Sequence, residues 1–179
     1  MKAHESMEEA PHFTIRTVQI QDVSFLWDML YEAAAVSEGM RALGKEKALS
    51  LPVNRKYVEA WGRPGDAGVI AIEQMDRSLG AAWYRLHPEE APGYGFISST
   101  IPELTIGVRA DARGQGIGQA LLQALIVLAQ SQGYAALSLS VDRNNPALHL
   151  YERFGFCDAE VSARQDSSVT LIKRWTELS

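Results

Sequence analysis

The sequence has a single cysteine, no basic excess and no long hydrophobic run. Cys157 cannot form an intramolecular disulfide, and one thiol excludes a metal site built from several thiolates. The formal net charge of −5 disfavours a non-specific nucleic-acid binder, which needs a basic surface. No apolar run reaches the about 20 residues of a membrane-spanning helix, and the N-terminus has no apolar signal core. We therefore expect a cytoplasmic protein without nucleic-acid or membrane partners.

The rest of the composition is that of an ordinary α/β domain. The chain has 179 residues, of which 46% are hydrophobic, enough to bury one full core. Its four histidines show no ligand spacing such as i, i+4, so no metal site is predicted. Residues 1–11 are polar and acidic, which favours a flexible N-terminal tail. We therefore predict one domain over residues 12–179.

Residues 103–141 predict a strand, a tight turn, a helix and a second strand. Leu104, Ile106 and Val108 alternate with polar or small residues, the period of a strand with one buried face. From Ile117 onward the apolar residues recur at helical spacing, and the second strand follows as a largely apolar run. The stretch is therefore a β-α-β unit with a glycine-rich turn at the N-terminus of its helix.

The turn has the chemistry of an anion-binding site. Gly114, Gly116 and Gly118 carry no Cβ, so a ligand can approach the backbone closely. The first N–H groups of the following helix have no partner inside it, and the helix dipole adds partial positive charge. Arg113 adds a full charge at the edge of the turn. The alternative is a tight strand-to-helix connection that binds nothing.

Two common phosphate motifs fail on spacing. The nucleotide P-loop needs a Lys-Ser/Thr pair after its last glycine, whereas Gly118 is followed by Gln119 and Ala120. The dinucleotide fingerprint GxGxxG fails because its third glycine would fall on Leu121 or, in the other register, on Gln119. The spacing therefore disfavours an ATP-binding or NAD-binding protein.

A different spacing matches the turn. Arg-x-x-Gly-x-Gly at residues 113–118 resembles the pyrophosphate loop of the GNAT superfamily of acyl-CoA-dependent N-acetyltransferases. The run NNPALHLYERFGF at residues 144–156 resembles the second signature of that family, an Asn followed by a helix that bears a Tyr and closes in Gly-Phe. The resemblance implies acetyl-CoA as cosubstrate and a mixed α/β sheet of about seven twisted strands flanked by four helices.

The resemblance assigns cofactor binding to the turn and to the strand before it. Arg113 and Gly114 would lie at the edge of the loop. The backbone N–H groups that would bind the pyrophosphate belong to Gln115, Gly116, Gly118 and Gln119. In the family, pantetheine lies where this strand separates from the next, and Val108 matches the position whose backbone contacts the acyl carbonyl. Gly107 is consistent with a bulge or a close backbone approach.

The second signature supplies further candidates. Tyr151 matches the tyrosine that acts as general acid toward the CoA thiolate in many members of the family. Without the resemblance, Tyr151 would be interpreted as helix packing, because it shares an apolar spacing with Leu148 and Phe154. Asn144 and Asn145 both match the cofactor-contacting asparagine of the family. We expect one of them to contact CoA and the other to cap the helix.

Several residues compete for the role of general base. Glu103 opens the strand that leads to the loop, where members of the family often carry a catalytic acid. The alternation of the strand puts Glu103 on the opposite face from Val108 unless a bulge intervenes. A solvated glutamate at the strand end is the alternative interpretation. A water chain, His87 or Glu90 are the other candidates for the base.

Five other segments complete the prediction. Residues 37–54 are polar and weakly periodic, which predicts a mobile loop, and residues 55–61 predict a short helix. In the family, the segment that joins the first two helices usually forms one wall of the acceptor site. Asp22 is a good N-cap for the first helix. The long loop at residues 87–102 would cover the acceptor end of the cleft. Residues 156–161 predict a strand in which Cys157 is a small buried hydrophobe.

These assignments predict an N-acetyltransferase that moves an acetyl group from acetyl-CoA to a primary amine of a small molecule or peptide. Direct transfer in a ternary complex requires no cysteine nucleophile. The competing class is a non-catalytic acyl-CoA-binding or regulatory module that keeps the loop and has lost the chemistry. A homodimer is compatible with the resemblance, since many members of the family dimerise.

Overall fold

The computed structural model describes residues 12–34 and 37–175, so the predicted tail at residues 1–11 lies outside the described residues. The strands in this part of the chain are β1 Phe13–Thr17, β2 Ala67–Glu73, β3 Ser78–Arg85, β4 Glu103–Val108, β5 Ala136–Asp142, β6 Cys157–Asp158 and β7 Ser168–Arg174. The α-helices are α1 Val23–Ala34, α2 Glu38–Leu43, α3 Lys45–Ser50, α4 Pro52–Arg55, α5 Ile117–Ser131 and α6 Ala147–Arg153. None of these helices has the length and apolar character needed to cross a membrane.

The strands form one mixed sheet in the order β1-β2-β3-β4-β5-β7-β6. Every neighbouring pair is antiparallel except β4 and β5, which are parallel because α5 carries the chain back across the sheet between them. The predicted fold class, a mixed seven-stranded sheet flanked by helices, is confirmed. The described residues contain six α-helices, however, rather than the four predicted.

The parallel strands β4 and β5 pair at one end only. Within residues 103–142, all of which the structure describes, Glu103 and Ser138 are the single pair of opposed residues. The N–H of Ser138 also donates to the carbonyl of Pro102 at 3.1 Å. Toward their carboxyl ends the two strands therefore separate, and the gap between them opens beside the N-terminus of α5.

Apolar side chains pack on both faces of the sheet. On one face, α5 buries a stripe that includes Leu121, Leu122 and Leu125 against β2, β3 and β5. On the other face, α1 buries Leu26 and Met29 against Trp83 and its neighbours. From Ala81 to Tyr84, successive residues of β3 belong alternately to the two clusters, as the two-residue period of a strand requires. Strand β4 is therefore held within a sheet that is packed on both faces.

The prediction of a mobile loop at residues 37–54 is wrong. Short helices α2, α3 and most of α4 occupy this segment, and the hydroxyl of Ser37 caps α2 by accepting the N–H of Met40 at 3.2 Å. Gly44 separates α2 from α3 at a φ of 79°. The helices escaped prediction because they bury almost nothing: Ala48 is the buried residue of α3, and α2 has none.

The predicted helix at residues 55–61 is also wrong, because helix α4 ends at Arg55 and a series of turns follows. The guanidinium of Arg85 takes the carbonyls of Lys56 and Glu59 at 2.8 and 2.7 Å, so neither serves a helix. Ala60 then adopts a φ of 53°, which ends any helical path. A residue 26 to 29 positions away thus determines this local structure.

Three smaller predictions also fail. Asp22 does not cap α1 with its side chain; it lies in a 3₁₀ turn, where Arg16 holds its carboxylate at 2.7 and 2.9 Å. The strand predicted at residues 156–161 shrinks to Cys157–Asp158, because the Asp158 carboxylate accepts the N–H of Glu160, which turns the chain at a φ of 58°. Cys157 is exposed rather than buried, since β6 is the edge strand of the sheet.

Candidate active site

A cavity of about 690 Å³ lies where β4 and β5 separate. Its walls come from α1, β4, the glycine-rich loop, β5 and the start of α6. The candidate residues from the sequence that line it are Glu103, Val108, Arg113, Gly114, Gly116, Gly118, Asn145 and Tyr151. The fold therefore brings the two sequence signatures to one site, with the glycine-rich loop and the start of β4 both on its wall.

The glycine-rich loop has the conformation that its glycines allow. Gly114 and Gly116 both adopt a φ of 77°, a region that other residues rarely enter. Gly116 precedes α5 without a side-chain cap, so the first N–H groups of α5 are available to an anion. At the edge of the loop, Arg113 forms an ion pair with Glu32 of α1 at 3.0 Å. This loop fits a pyrophosphate, because it offers backbone donors, a helix N-terminus and one cation.

Gly107 is explained by packing against α1. The residue pairing between β3 and β4 is continuous from Arg85 with Glu103 to Gly80 with Val108, so β4 has no bulge. A Cβ on Gly107 would clash with the backbone carbonyl of Met29 in α1. Of the two explanations offered by the sequence, the close backbone approach is therefore confirmed. Glu103 and Val108 do lie on opposite faces of β4, yet both line the cavity, because it runs along the edge of β4 from the single pair with β5 at Glu103 to the unpaired end at Val108.

Glu103 is buried and hydrogen-bonded, with a residue exposure of 3%, so the interpretation as a solvated glutamate is wrong. Its Oε1 accepts hydrogen bonds from the Tyr57 hydroxyl at 2.7 Å and from the N–H of Gly95 at 2.9 Å. Burial raises the pKa of Glu103 from 4.5 to about 7, although both hydrogen bonds act in the opposite direction. A carboxyl group that titrates near neutrality is suited to accept a proton from a substrate.

Tyr57 and Gly93, which no sequence motif marked, also contact this carboxyl group: Tyr57 by a hydrogen bond, and Gly93 by close packing that only a residue without a Cβ allows. The Tyr57 hydroxyl donates to Glu103 and accepts the N–H of Tyr94 at 2.7 Å. The rings of Tyr57 and Tyr94 are stacked with centroids 6.4 Å apart, and both line the cavity. A Cβ on Gly93 would clash with Oε2 of Glu103. The long loop therefore packs directly on Glu103, and no local sequence pattern could have revealed these contacts.

His87 lies behind Glu103 and is itself buried. Its Nε2 is 3.8 Å from Oε2 of Glu103, and its ring meets the Tyr57 ring edge-on with centroids 5.1 Å apart. Burial lowers the pKa of His87 from 6.5 to about 4, and the nearby cations Lys56 and Arg85 lower it further. The imidazole is therefore neutral at pH 7. Glu90, the other candidate from this loop, is exposed.

A family model described as the acetyltransferase (GNAT) family matches residues 27–156, well over half of the chain. The matched range contains the cavity and both signatures. The chain belongs to the GNAT acetyltransferase family. The resemblance to this family of acetyltransferases, inferred from the two motifs, is confirmed.

Characterised relatives of this GNAT protein are acetyltransferases of different kinds. The mycothiol acetyltransferase of Arthrobacter sp. (strain FB24) is 35% identical over 109 residues, which cover 59% of this chain and 32% of the relative. This chain thus spans about a third of the length of the mycothiol enzymes it matches. The L-methionine sulfoximine/L-methionine sulfone acetyltransferase of Pseudomonas aeruginosa (strain PAO1) is 30% identical over 139 residues, covering 77% of this chain and 76% of the relative.

Solved structures agree on the GNAT fold. A ribosomal-protein-alanine N-acetyltransferase from Brucella melitensis superposes with a TM-score of 0.64 at 24% identity, covering 90% of this chain and 99% of its own. The PaiA N-acetyltransferase from Thermoplasma acidophilum, solved with coenzyme A, gives a TM-score of 0.60 at 18% identity and covers 91% and 99% of the two chains. At these identities the superpositions concern the fold alone.

Tyr151 of this GNAT protein is buried on the wall of the cavity, with 6% of the residue exposed. Its ring meets Phe156 edge-on with centroids 5.9 Å apart. Burial raises the pKa of Tyr151 to about 12, so the phenol holds its proton at neutral pH. Packing and an acid role are compatible here, because the ring packs on Phe156 while the residue borders the cavity.

The two asparagines before α6 have different surroundings. The Oδ1 of Asn145 accepts the N–H of Ala147 at 2.9 Å, which caps the start of α6, and Asn145 lines the cavity. Asn144 is exposed, and its backbone N–H donates to Asp142 at 2.8 Å. The side chains of Gln115 and Gln119 are exposed as well. The role predicted for those two residues uses their backbone N–H groups, so it does not depend on where the side chains lie.

Proposed function

We propose that this acetyltransferase transfers the acetyl group of acetyl-CoA to a primary amine by direct attack within a ternary complex. One observation carries the proposal: a single cavity between the separated strands is lined by the glycine-rich loop, by Tyr151 and by buried Glu103. Its volume of about 690 Å³ lies within the range of small-molecule sites. The same lining contains an anion cradle, a proton donor and a proton acceptor.

The loop residues would bind the cosubstrate. The N–H groups of Gln115, Gly116, Gly118 and Gln119, at and just before the start of α5, would donate to the pyrophosphate. Arg113 would leave its ion pair with Glu32 and bind a phosphate instead. Val108 would meet the acyl end at the unpaired edge of β4. Asn145 lines the cavity, and its Nδ2 could donate to CoA while its Oδ1 keeps the capping bond, whereas Asn144 is exposed and lies outside the cavity lining. Bound acetyl-CoA supplies the reactive thioester.

Glu103 would act as the general base. A primary amine is mostly protonated at neutral pH and must lose a proton before it attacks a thioester. Glu103 lines the cavity, and burial holds the pKa of its carboxyl group near 7, so the group is a stronger base than an exposed glutamate. The hydrogen bonds from Tyr57 and Gly95 fix Oε1 and orient the carboxylate.

Tyr151 would act as the general acid. After the amide forms, the departing CoA thiolate needs a proton. Burial raises the pKa of the Tyr151 phenol to about 12, so the group is protonated at neutral pH and can donate its hydrogen to the sulfur as the C–S bond breaks. The protein's single cysteine, Cys157, lies on edge strand β6 outside the cavity lining, which supports direct transfer without an acyl-cysteine intermediate.

We infer a small-molecule acceptor. The side chains that line the acceptor end, beyond Glu103, are Leu30, Arg41, Asn54, Tyr57 and Tyr94. One cation, one amide, two aromatic rings and one aliphatic side chain suit a small polar amine better than a long peptide. The relative from Pseudomonas aeruginosa, which matches most of this chain, is named for L-methionine sulfoximine and L-methionine sulfone, both small molecules. We further propose that residues 12–179 form a single domain, since one sheet runs through the described part.

Substituting Tyr151→Phe tests the proposal and separates it from a non-catalytic binding module. We expect turnover to fall by about 10²-fold or more, because the acid is lost. The dissociation constant for acetyl-CoA, measured by calorimetry, should change by less than about threefold. Tyr134→Phe is the matched control, since Tyr134 packs on Tyr84 away from the cavity. A Tyr151→Phe enzyme as fast as the parent would show that Tyr151 is not the acid.

A further inference from the structure

Two buried polar atoms beside the site lack hydrogen-bond partners. They are Oε2 of Glu103 and Nε2 of His87, and in the part of the chain that the structure describes no other buried side-chain nitrogen or oxygen shares this condition. The two atoms face each other at 3.8 Å, and each side chain is at most 3% exposed. Because buried polar atoms are nearly always paired, two unpartnered ones in contact range indicate a hydrogen bond that forms when the site closes.

The surroundings determine which atom can donate. The ionisable groups around the pair are Lys56, Tyr57, Arg63, Asp66, Arg85 and Tyr94. Three of them are cations and one is a carboxylate, so the local charge opposes a positively charged imidazole. A neutral imidazole still carries one N–H, and that hydrogen can reside on Nε2. Oε1 of Glu103 already accepts two hydrogen bonds, so Oε2 is the atom that still needs a donor.

We propose that His87 is a positioning residue for the general base: its Nε2–H donates to Oε2 of Glu103 and keeps the carboxylate form available at neutral pH. The inference rests on the base role proposed for Glu103. Closing the 3.8 Å separation by about 1 Å gives an ordinary N–H···O distance. His87 exchanges no proton with the substrate, because it lies behind Glu103 and outside the cavity lining.

Without this donor, the carboxylate would be buried with one oxygen unsatisfied. A hydrogen bond to a charged group is worth enough to move the pKa of Glu103 upward by about one to two units when it is lost. The pKa of about 7 applies to the 3.8 Å separation, at which this hydrogen bond is absent, so forming the bond lowers the pKa of Glu103 below 7 and losing the donor returns it there. On the acidic side of the profile the ionised fraction, and with it the rate, would therefore fall about tenfold for each unit of this shift, and the loss would disappear at higher pH.

The first test is the pH profile of kcat/KM for acetylation by His87→Phe and His87→Gln. We expect the acidic limb of His87→Phe to shift upward by about one unit or more, with parental activity regained above about pH 9. His87→Gln keeps an N–H donor and should restore most of the parental profile. The control His149→Gln removes an exposed histidine and should leave the profile unchanged. A loss that is equal at every pH in His87→Phe would show a merely structural role and overturn the proposal.

The second test needs no acceptor and no turnover. In the free wild-type protein, ¹⁵N spectra of His87 should show the neutral Nε2–H form at pH 7, and the ¹³C signal of the Glu103 carboxyl should titrate higher in His87→Phe than in the parent. An imidazolium or an Nδ1–H form of His87 at pH 7 would overturn the proposal. These spectra answer even if His87→Phe fails to fold, through the wild-type histidine. They also separate a failure of the His87–Glu103 hydrogen bond from a failure of the proposed reaction.

Discussion

Glu103→Gln should make the enzyme slower and more stable at the same time. The amide is close in size to the carboxyl group, and its oxygen can still accept from Tyr57 and Gly95. Its NH2 group then faces Nε2 of His87, which accepts a hydrogen bond once the neutral ring carries its hydrogen on Nδ1. It cannot accept a proton from the amine, so turnover should fall by about 10²–10⁴-fold, the usual contribution of a general base. The gain in stability follows from the charge that the native protein buries at this position.

The magnitude can be derived from the pKa. Burial raises the pKa of Glu103 from 4.5 in the unfolded chain to about 7 in the fold. Between these values the folded protein binds more protons, so its stability falls as pH rises through this window. At about 1.4 kcal/mol per pKa unit, the charged carboxylate costs about 3 kcal/mol above pH 7 and nothing below about pH 4. Glu103→Gln removes this cost, which for a chain of this size corresponds to about 6–12 °C in Tm.

Two assays check the prediction. Thermal unfolding at pH 8 and at pH 4 should show a raised Tm for Glu103→Gln at pH 8, and the difference should shrink at pH 4. Acetylation rates measured on the same preparations should show the loss of turnover. Glu90→Gln, which changes an exposed glutamate in the loop that precedes β4, should affect neither Tm nor turnover. A Glu103→Gln protein that is less stable at pH 8 would refute the argument from burial, and one with full turnover would refute the assignment of the base.

Two further substitutions probe the support of this site. Gly93→Ala should lower turnover, because its Cβ would displace the carboxyl group of Glu103. The control Gly39→Ala has open space around it and should leave turnover unchanged. Asp66→Asn should cost about 3–5 kcal/mol by urea denaturation, because it leaves Arg85 charged and buried after the loss of a bidentate ion pair at 2.6 and 2.8 Å. A cost below about 1 kcal/mol would mean that this pair behaves like an exposed one.

The sequence determines the β-α-β unit and its loop because strong local signals agree there. The alternation of β4, the apolar stripe of α5 and the glycines between them depend on neighbouring residues alone. Residues 37–61 were mispredicted because their helices bury little. The turn after α4 depends on Arg85, which lies 26 to 29 positions later in the sequence, and Arg85 is in turn held by Asp66.

The candidate site divides in the same way. The loop glycines, Val108 and Tyr151 could be selected because they belong to two short motifs. The burial of Glu103 could not be deduced, because its partner Tyr57 lies 46 positions earlier and no motif contains it. His87 was one of several candidates for the base, and only the tertiary fold places it behind Glu103. Local patterns thus predict the side of the cavity formed by the glycine-rich loop and Tyr151, whereas tertiary packing creates the side around Glu103.

The most direct test of the central claim is the acetylation of amines by the purified protein. Acetyl-CoA and a panel of small primary amines, including amino acids and their sulfoximine and sulfone derivatives, would be incubated with the enzyme. Release of the CoA thiol and the mass of the product would both be recorded. The account predicts an N-acetylated product for at least one amine, formed by the parent and lost in Glu103→Gln. If acetyl-CoA raises the Tm but no amine in the panel is acetylated, the proposed transfer to a small amine is contradicted.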